Sequence, residues 1–147
     1  MLEPRNILYF DQFYFKNGNA AKAKYFIVLK RIENRAILAS LPTSKDHIPY
    51  FVMQKDGCIE MPEINLNCFV ISPETCVSEC GKHFPRKTFL YGQNIDEYEI
   101  SFMENTYQLK NIDFVIWGRM KESLFHKLIN CFLNSKSIKR KYKVILV

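Results

Sequence analysis

Hydrophobic residues in this chain fall in short blocks separated by polar turns, a pattern that predicts strands over most of its length. Residues 7–15, Ile-Leu-Tyr-Phe-Asp-Gln-Phe-Tyr-Phe, are aromatic and extended by propensity, and Asn17-Gly18 then supplies a turn. A small, basic loop over residues 16–24 delivers the chain into Tyr25-Phe-Ile-Val-Leu, an apolar run short enough for a central strand. Glu33-Asn34 makes a polar turn, and residues 35–41 run back, so the two runs predict a hairpin.

Further on, residues 51–53 and 58–61 flank a reversal at Asp56-Gly57, and residues 68–72 read as a buried strand ending at Pro73. Residues 75–86 form the longest irregular stretch, followed by a strand over 87–91 that stops at Gly92. Between positions 96 and 104, four acids alternate with Tyr98, Ile100 and Phe102, the pattern of an exposed edge strand that would repel nucleic acid. Leu124, Phe125, Leu128, Ile129 and Phe132 share one face of a helix over 120–133, with Glu122 and Lys127 placed to suit its dipole. The last residues, Val144-Ile-Leu-Val, read either as a final strand or as an apolar contact surface. The fold class expected is mainly β: a single domain over 1–147, built as a small antiparallel barrel with a late helix.

Composition changes this picture in two ways. The 147 residues fit about one domain, and the net charge of +6 sits entirely at the end. Up to Glu122 fifteen basic and fifteen acidic residues cancel; beyond it Lys127, Lys136, Lys139, Arg140, Lys141 and Lys143 stand without an acid. Such a cluster attracts phosphate backbones, and equally serves as a solvated end that aids solubility. Five cysteines, an odd number of mostly apolar-flanked thiols, with no secretory pattern at the start, give the expectation of a reducing cytoplasm. No apolar run is long enough to cross a bilayer, so no membrane partner is expected.

The residues richest in chemistry are Leu41-Pro-Thr-Ser-Lys-Asp-His-Ile-Pro49. Here a β-type run feeds two hydroxyls, Thr43 and Ser44, then Lys45, Asp46 and His47, between prolines that restrict the backbone. The same residues are also ordinary turn formers whose side chains bond their own backbone. His47 titrates nearest neutrality and is the natural proton shuttle of the group. A second constellation, Cys76, Cys80 and His83, has three candidate zinc ligands that Cys68 or Cys58 would complete, but it lacks the tight pairs of strong zinc signatures. Read otherwise, these are loop thiols and a surface imidazole, and no metal or other cofactor is expected. Lys82, Arg86 and Lys87 would extend a nucleic-acid groove or simply be solvated. His126 reads as a helix-boundary residue and Trp117, the sole tryptophan, as core.

The order strand, basic loop, apolar strand, return strand and Pro42-Thr43-Ser44 resembles the MazF and PemK/Kid endoribonuclease toxins. About a third of the chain carries the likeness, and the late helix is similar in position to that family's carboxy-terminal helix. The resemblance implies an SH3-like barrel and metal-independent cleavage of single-stranded RNA by the ribose 2′-hydroxyl. It further implies a homodimer and a small antitoxin partner. Carried onto this sequence, Lys24 would neutralise phosphate charge, Thr43 would hydrogen-bond a phosphate oxygen or position the nucleophile, and Ser44 would support it. Lys22, Lys45, Arg86, Lys87, Lys139, Arg140 and Lys141 would hold the RNA backbone. Two departures stand out: Lys24-Tyr25 replaces the family's Arg-Pro pair, losing a bidentate phosphate grip, and residues 55–110 lie outside the match. A non-catalytic SH3-like module that binds RNA or protein is the competing expectation.

Overall fold

The computed structural model describes residues 1–41 and 55–147. In chain order the described strands are β1 (Asn6–Phe13), β2 (Lys22–Ile32), β3 (Arg35–Leu41), β4 (Gly57–Met61), β5 (Leu66–Ile71), β6 (Thr88–Tyr91), β7 (Ile95–Glu99) and β8 (Val115–Arg119). Helix α1 (Ile100–Thr106) lies between β7 and β8, and α2 (Glu122–Leu133) and α3 (Arg140–Leu146) close the chain. The strands form two separately hydrogen-bonded sheets, one in the order β7-β3-β2-β1-β8 and one in the order β4-β5-β6. Every strand pair is antiparallel. The mainly-β expectation with a helix over 120–133 therefore holds, whereas no hydrogen-bonded closure joins the two sheets among the described residues.

Strand alternation sorts the apolar side chains of the larger sheet onto two faces. Ile7, Ile27, Leu29, Ile37, Ala39 and Leu41 enter a first core shared with Phe69, Ile71 and Leu90 of the smaller sheet and with α2 and α3. Leu8, Phe26, Val28, Ala36 and Leu38 enter a second core with Ile100 and Met103 of α1 and with Tyr107 just after it. Both faces of β2 and β3 are thus buried, which is why their sequences read as continuous apolar runs rather than as alternation.

Several segments depart from the sequence expectation: β2 begins at Lys22, inside the expected loop over 16–24, β8 answers to no expected strand, and two helices stand where strands or a contact surface are expected. The edge strand expected over 96–104 stops at Glu99, and α1 begins, because Ile100, Met103 and Tyr107 fall at helical spacing onto the second core while Phe102 points outward, 57% exposed. The tip of the β2–β3 hairpin fixes this start: the amide of Ile100 donates to the Asn34 carbonyl at 2.8 Å, and the amide of Ser101 donates to Asn34 Oδ1 at 3.0 Å. Those amides are among the donors a helix leaves unsatisfied at its first turn. The last residues are neither strand nor bare contact surface but α3, whose Tyr142 and Leu146, four apart, are buried. Residues 51–53, expected as a strand, lie outside the described residues.

Candidate nucleic-acid interface

Lys24 sits within β2 rather than at the end of a loop, directly opposite Phe10 of β1. Between the pairs Phe10–Lys24 and Phe13–Lys22, β1 carries one residue more than β2, a bulge that re-aims the local side chains. By alternation with Phe26 and Val28, Lys24 belongs to the second-core face. It is half-buried, and that burial, reinforced by repulsion from Lys22, pulls the ammonium below the ordinary lysine range. Lys22 itself is exposed, with Nζ 5.7 Å from the centre of the Phe15 ring. Two sequence-predicted cations therefore meet at one end of the β1–β2 ladder.

Tyr25, the residue after Lys24, pairs with Leu41, the last described residue of β3. Thr43 follows Leu41 by two residues in the chain. Thr43, Ser44, Lys45, Asp46 and His47 lie outside the described residues.

The other predicted cations are placed elsewhere. Arg86 and Lys87 are exposed on the turn before β6, in the smaller sheet. Lys139, Arg140 and Lys141 open α3, so the basic end is folded structure and not a solvated tail. Lys141 Nζ lies 3.5 Å from Glu97, and the Tyr142 hydroxyl donates to Asp96 at 3.4 Å. Burial first, and then the nearby Asp96 and Glu97, push the Tyr142 hydroxyl up to about 12. Arg35 also pairs with Glu97 at 3.2 Å, and Lys16 with Asp96 at 3.2 Å. Asp96 and Glu97 of β7, read as part of a face that repels nucleic acid, are engaged by this chain's own cations, Lys141 among them, while Glu99 accepts the Ser101 hydroxyl.

A cross-strand row emerges that the sequence did not reveal. Val115 on β8, Tyr9 on β1, Tyr25 on β2 and Leu41 on β3 are successive direct partners, so they line up across four strands on one face. Tyr9 and Tyr25 are each partly exposed, with ring centres 4.7 Å apart. The Tyr9 hydroxyl donates to Asp11 at 3.2 Å. Next to Val115 on the same face, Trp117 is the bulged residue of β8, packed at the margin of the first core and stacked on Phe84 at 5.2 Å. Lys82 reaches over that ring at 5.0 Å and donates to the Trp117 carbonyl at 2.5 Å. Trp117 thus combines the expected core role with a partly open edge. Aromatic content on each strand was legible, but the register that aligns the residues was not.

The residues of the alternative zinc reading are arranged otherwise. Cys58 is bonded to Cys131, 73 residues away, joining β4 to α2, so the expectation that all five cysteines are thiols is corrected for these two. Cys58 is exposed. His83 Nδ1 lies 2.9 Å from the Pro73 carbonyl, and Cys80 Sγ lies 3.1 Å from Ser78 Oγ. No group of three potential metal ligands gathers among the described residues. His126 is exposed on α2, at the rim of an open cleft of about 480 Å³, as its boundary position implied. No helix among the described residues is long and apolar enough to cross a membrane. Comparisons of the chain with protein-family models, with curated proteins and with solved structures return no match.

Proposed function

We propose that this chain is a metal-independent endoribonuclease of the toxin type, acting on single-stranded RNA. The observation that supports the reading is the pairing of Tyr25 with Leu41. It sets Lys24, the residue before one, and Leu41, from which the chain runs on in sequence to Thr43, at the same end of two neighbouring strands. On this reading the two sheets are the halves of an SH3-like barrel. Lys24 stabilises the charge that develops on the phosphate, and its partial burial strengthens that role by removing competing water. Thr43 positions the 2′-hydroxyl or a phosphate oxygen, Ser44 supports it, and His47 moves the proton. Lys22 and Lys45 hold the strand on either side, with Arg86 and Lys87 as outer contacts. A homodimer would place two such ends along one groove, and a small antitoxin would cover it. Lys139 and Arg140 contribute long-range attraction, while Lys141 is committed to Glu97.

Lysine in place of arginine at position 24 also suits a module that binds RNA without cutting it. One assay separates the two. Purified protein incubated with single-stranded RNA and a chelator yields 2′,3′-cyclic phosphate ends if the nuclease reading is right, and Thr43→Ala removes them. Binding with no cleavage, across RNAs of varied sequence, establishes the module instead.

A further inference from the structure

We propose that the Cys58–Cys131 bond is an exchangeable disulfide: a small thiol of the glutathione class adds to Cys58 as a mixed disulfide, and Cys131 departs as a thiolate received by Asn67. The inference stands apart from the RNA reading. Its first ground is the unequal setting of the two sulfurs. Cys58 is an exposed residue of β4, an outer strand of the smaller sheet, whereas Cys131 on α2 is 4% exposed. Exchange proceeds by attack of a thiolate on one sulfur and departure of the other, so access directs a solvent thiol to Cys58 and makes Cys131 the leaving group. In the reducing cytoplasm expected from the sequence, disulfides are as a rule transient, catalytic or redox-sensing.

The second ground is what surrounds Cys131. Asn67 of β5 is fully buried, and its Nδ2 donates to Cys131 Sγ at 3.5 Å and to the Cys131 carbonyl at 3.3 Å. An N–H directed at this sulfur favours the thiolate over the disulfide, because a hydrogen bond to a charged acceptor is the stronger one. A better stabilised leaving thiolate departs faster. Asn67 is held from two sides: Nδ2 also donates to Glu60 at 3.2 Å, and a Cβ at Gly92 would come within 2.5 Å of Oδ1. Glu60, the acid beside this amide, also accepts the Ser135 hydroxyl at 2.8 Å and the Lys136 amide at 2.7 Å. Once protonated, the Cys131 thiol finds an acceptor already in place, the Cys68 carbonyl 3.8 Å from Sγ. The side chain of Cys68 itself belongs to a separate apolar cluster with Ile59, Val70 and Tyr91, which keeps that thiol out of the exchange.

The first step forms a bond between the small thiol and Cys58 and breaks the Cys58–Cys131 bond. The electron pair stays on Cys131, which takes a proton from water. A second small thiol then attacks the sulfur of the first, forming their own disulfide and releasing Cys58. Two small thiols are thus oxidised as one protein disulfide is reduced, and the oxidised small thiol runs the sequence backwards. Leu128 and Phe132 of α2 remain in the first core throughout, so both redox states are folded.

The test places the full chain in glutathione buffers, quenches with acid, alkylates free thiols and maps the peptides by mass. Glutathione should appear on Cys58 and not on Cys131, and reduction should be first order in glutathione and insensitive to denaturant below the unfolding transition. Cys131→Ser should retain glutathione on Cys58, whereas Cys58→Ser should take none on Cys131. Asn67→Leu and Asn67→Ala, which both remove the donor, should slow reduction at least about fivefold. A folded variant of either kind reduced at the wild-type rate would overturn the role of Asn67. Glutathione on Cys131, a rate that levels off at the rate of global unfolding, or Cys58 and Cys131 remaining thiols in oxidised glutathione would overturn the exchange itself.

Discussion

Tyr25 and Leu41 stand directly opposite one another on β2 and β3 and face the same core. This pairing fixes the register of the hairpin at the end where the chemistry is expected. It also separates the neighbouring side chains by face, since Lys24 belongs with Phe26 and Val28 on the second-core side. A cation held there is costly to fold around, and that cost can be measured.

Lys24 has its folded-state pKa lowered, first by burial and then by Lys22. In the window just below the ordinary lysine pKa the unfolded chain binds more protons than the folded one, so stability rises with pH there. Below the folded-state value the charged ammonium carries its full penalty. Lys24→Met should therefore stabilise the protein at neutral pH, by less than about 1 kcal/mol given the residue's partial exposure, while weakening RNA binding. Denaturant midpoints at neutral and alkaline pH check this; a Lys24→Met protein less stable than wild type at neutral pH would contradict it.

The Cys58–Cys131 bond closes a loop of 73 residues between β4 and α2. Constraining a loop of that length in the unfolded chain is worth roughly 2–4 kcal/mol. Reductant, or Cys58→Ala, should lower the denaturant midpoint accordingly. Cys58 is exposed, so reductant should reach it without prior unfolding. Equal midpoints with and without reductant would show that the bond is not formed in solution.

Helix α3 is both basic and buried, and the two properties separate by residue. Leu146 is 6% exposed, so Leu146→Ala should cost about 2–4 kcal/mol. Lys139→Gln and Arg140→Gln, both exposed, should leave stability within about 0.5 kcal/mol and flatten the salt dependence of RNA binding. Deleting the helix would confuse these effects, because it removes core along with charge. A large stability loss from Arg140→Gln would contradict the assignment.

Much of the architecture was legible because the apolar runs of β2, β3 and β5 are too short for helices and α2 repeats at helical spacing. Four features were not. Across the junction of β7 and α1, Tyr98, Ile100 and Phe102 mimic the alternation of a strand, and only Asn34, far away in the sequence, shows why the helix begins at Ile100. In α3, Arg140, Lys141 and Lys143 masked Tyr142 and Leu146, whose burial depends on tertiary packing. The partnership of Cys58 with Cys131 and the alignment of Val115, Tyr9 and Tyr25 are register facts, which no local pattern encodes. Of the candidate site, the nearness of Lys22 to Lys24 was legible as a basic loop, whereas their place on β2 and the diversion of Lys141 to Glu97 were not.

The most direct measurement is the end chemistry of RNA exposed to the purified protein in the presence of chelator. The account predicts 2′,3′-cyclic phosphate termini from wild type, a loss of at least about a hundredfold in cleavage rate for Lys24→Ala, and partial recovery with Lys24→Arg. Intact RNA with wild type, or undiminished cleavage by Lys24→Ala, would contradict it.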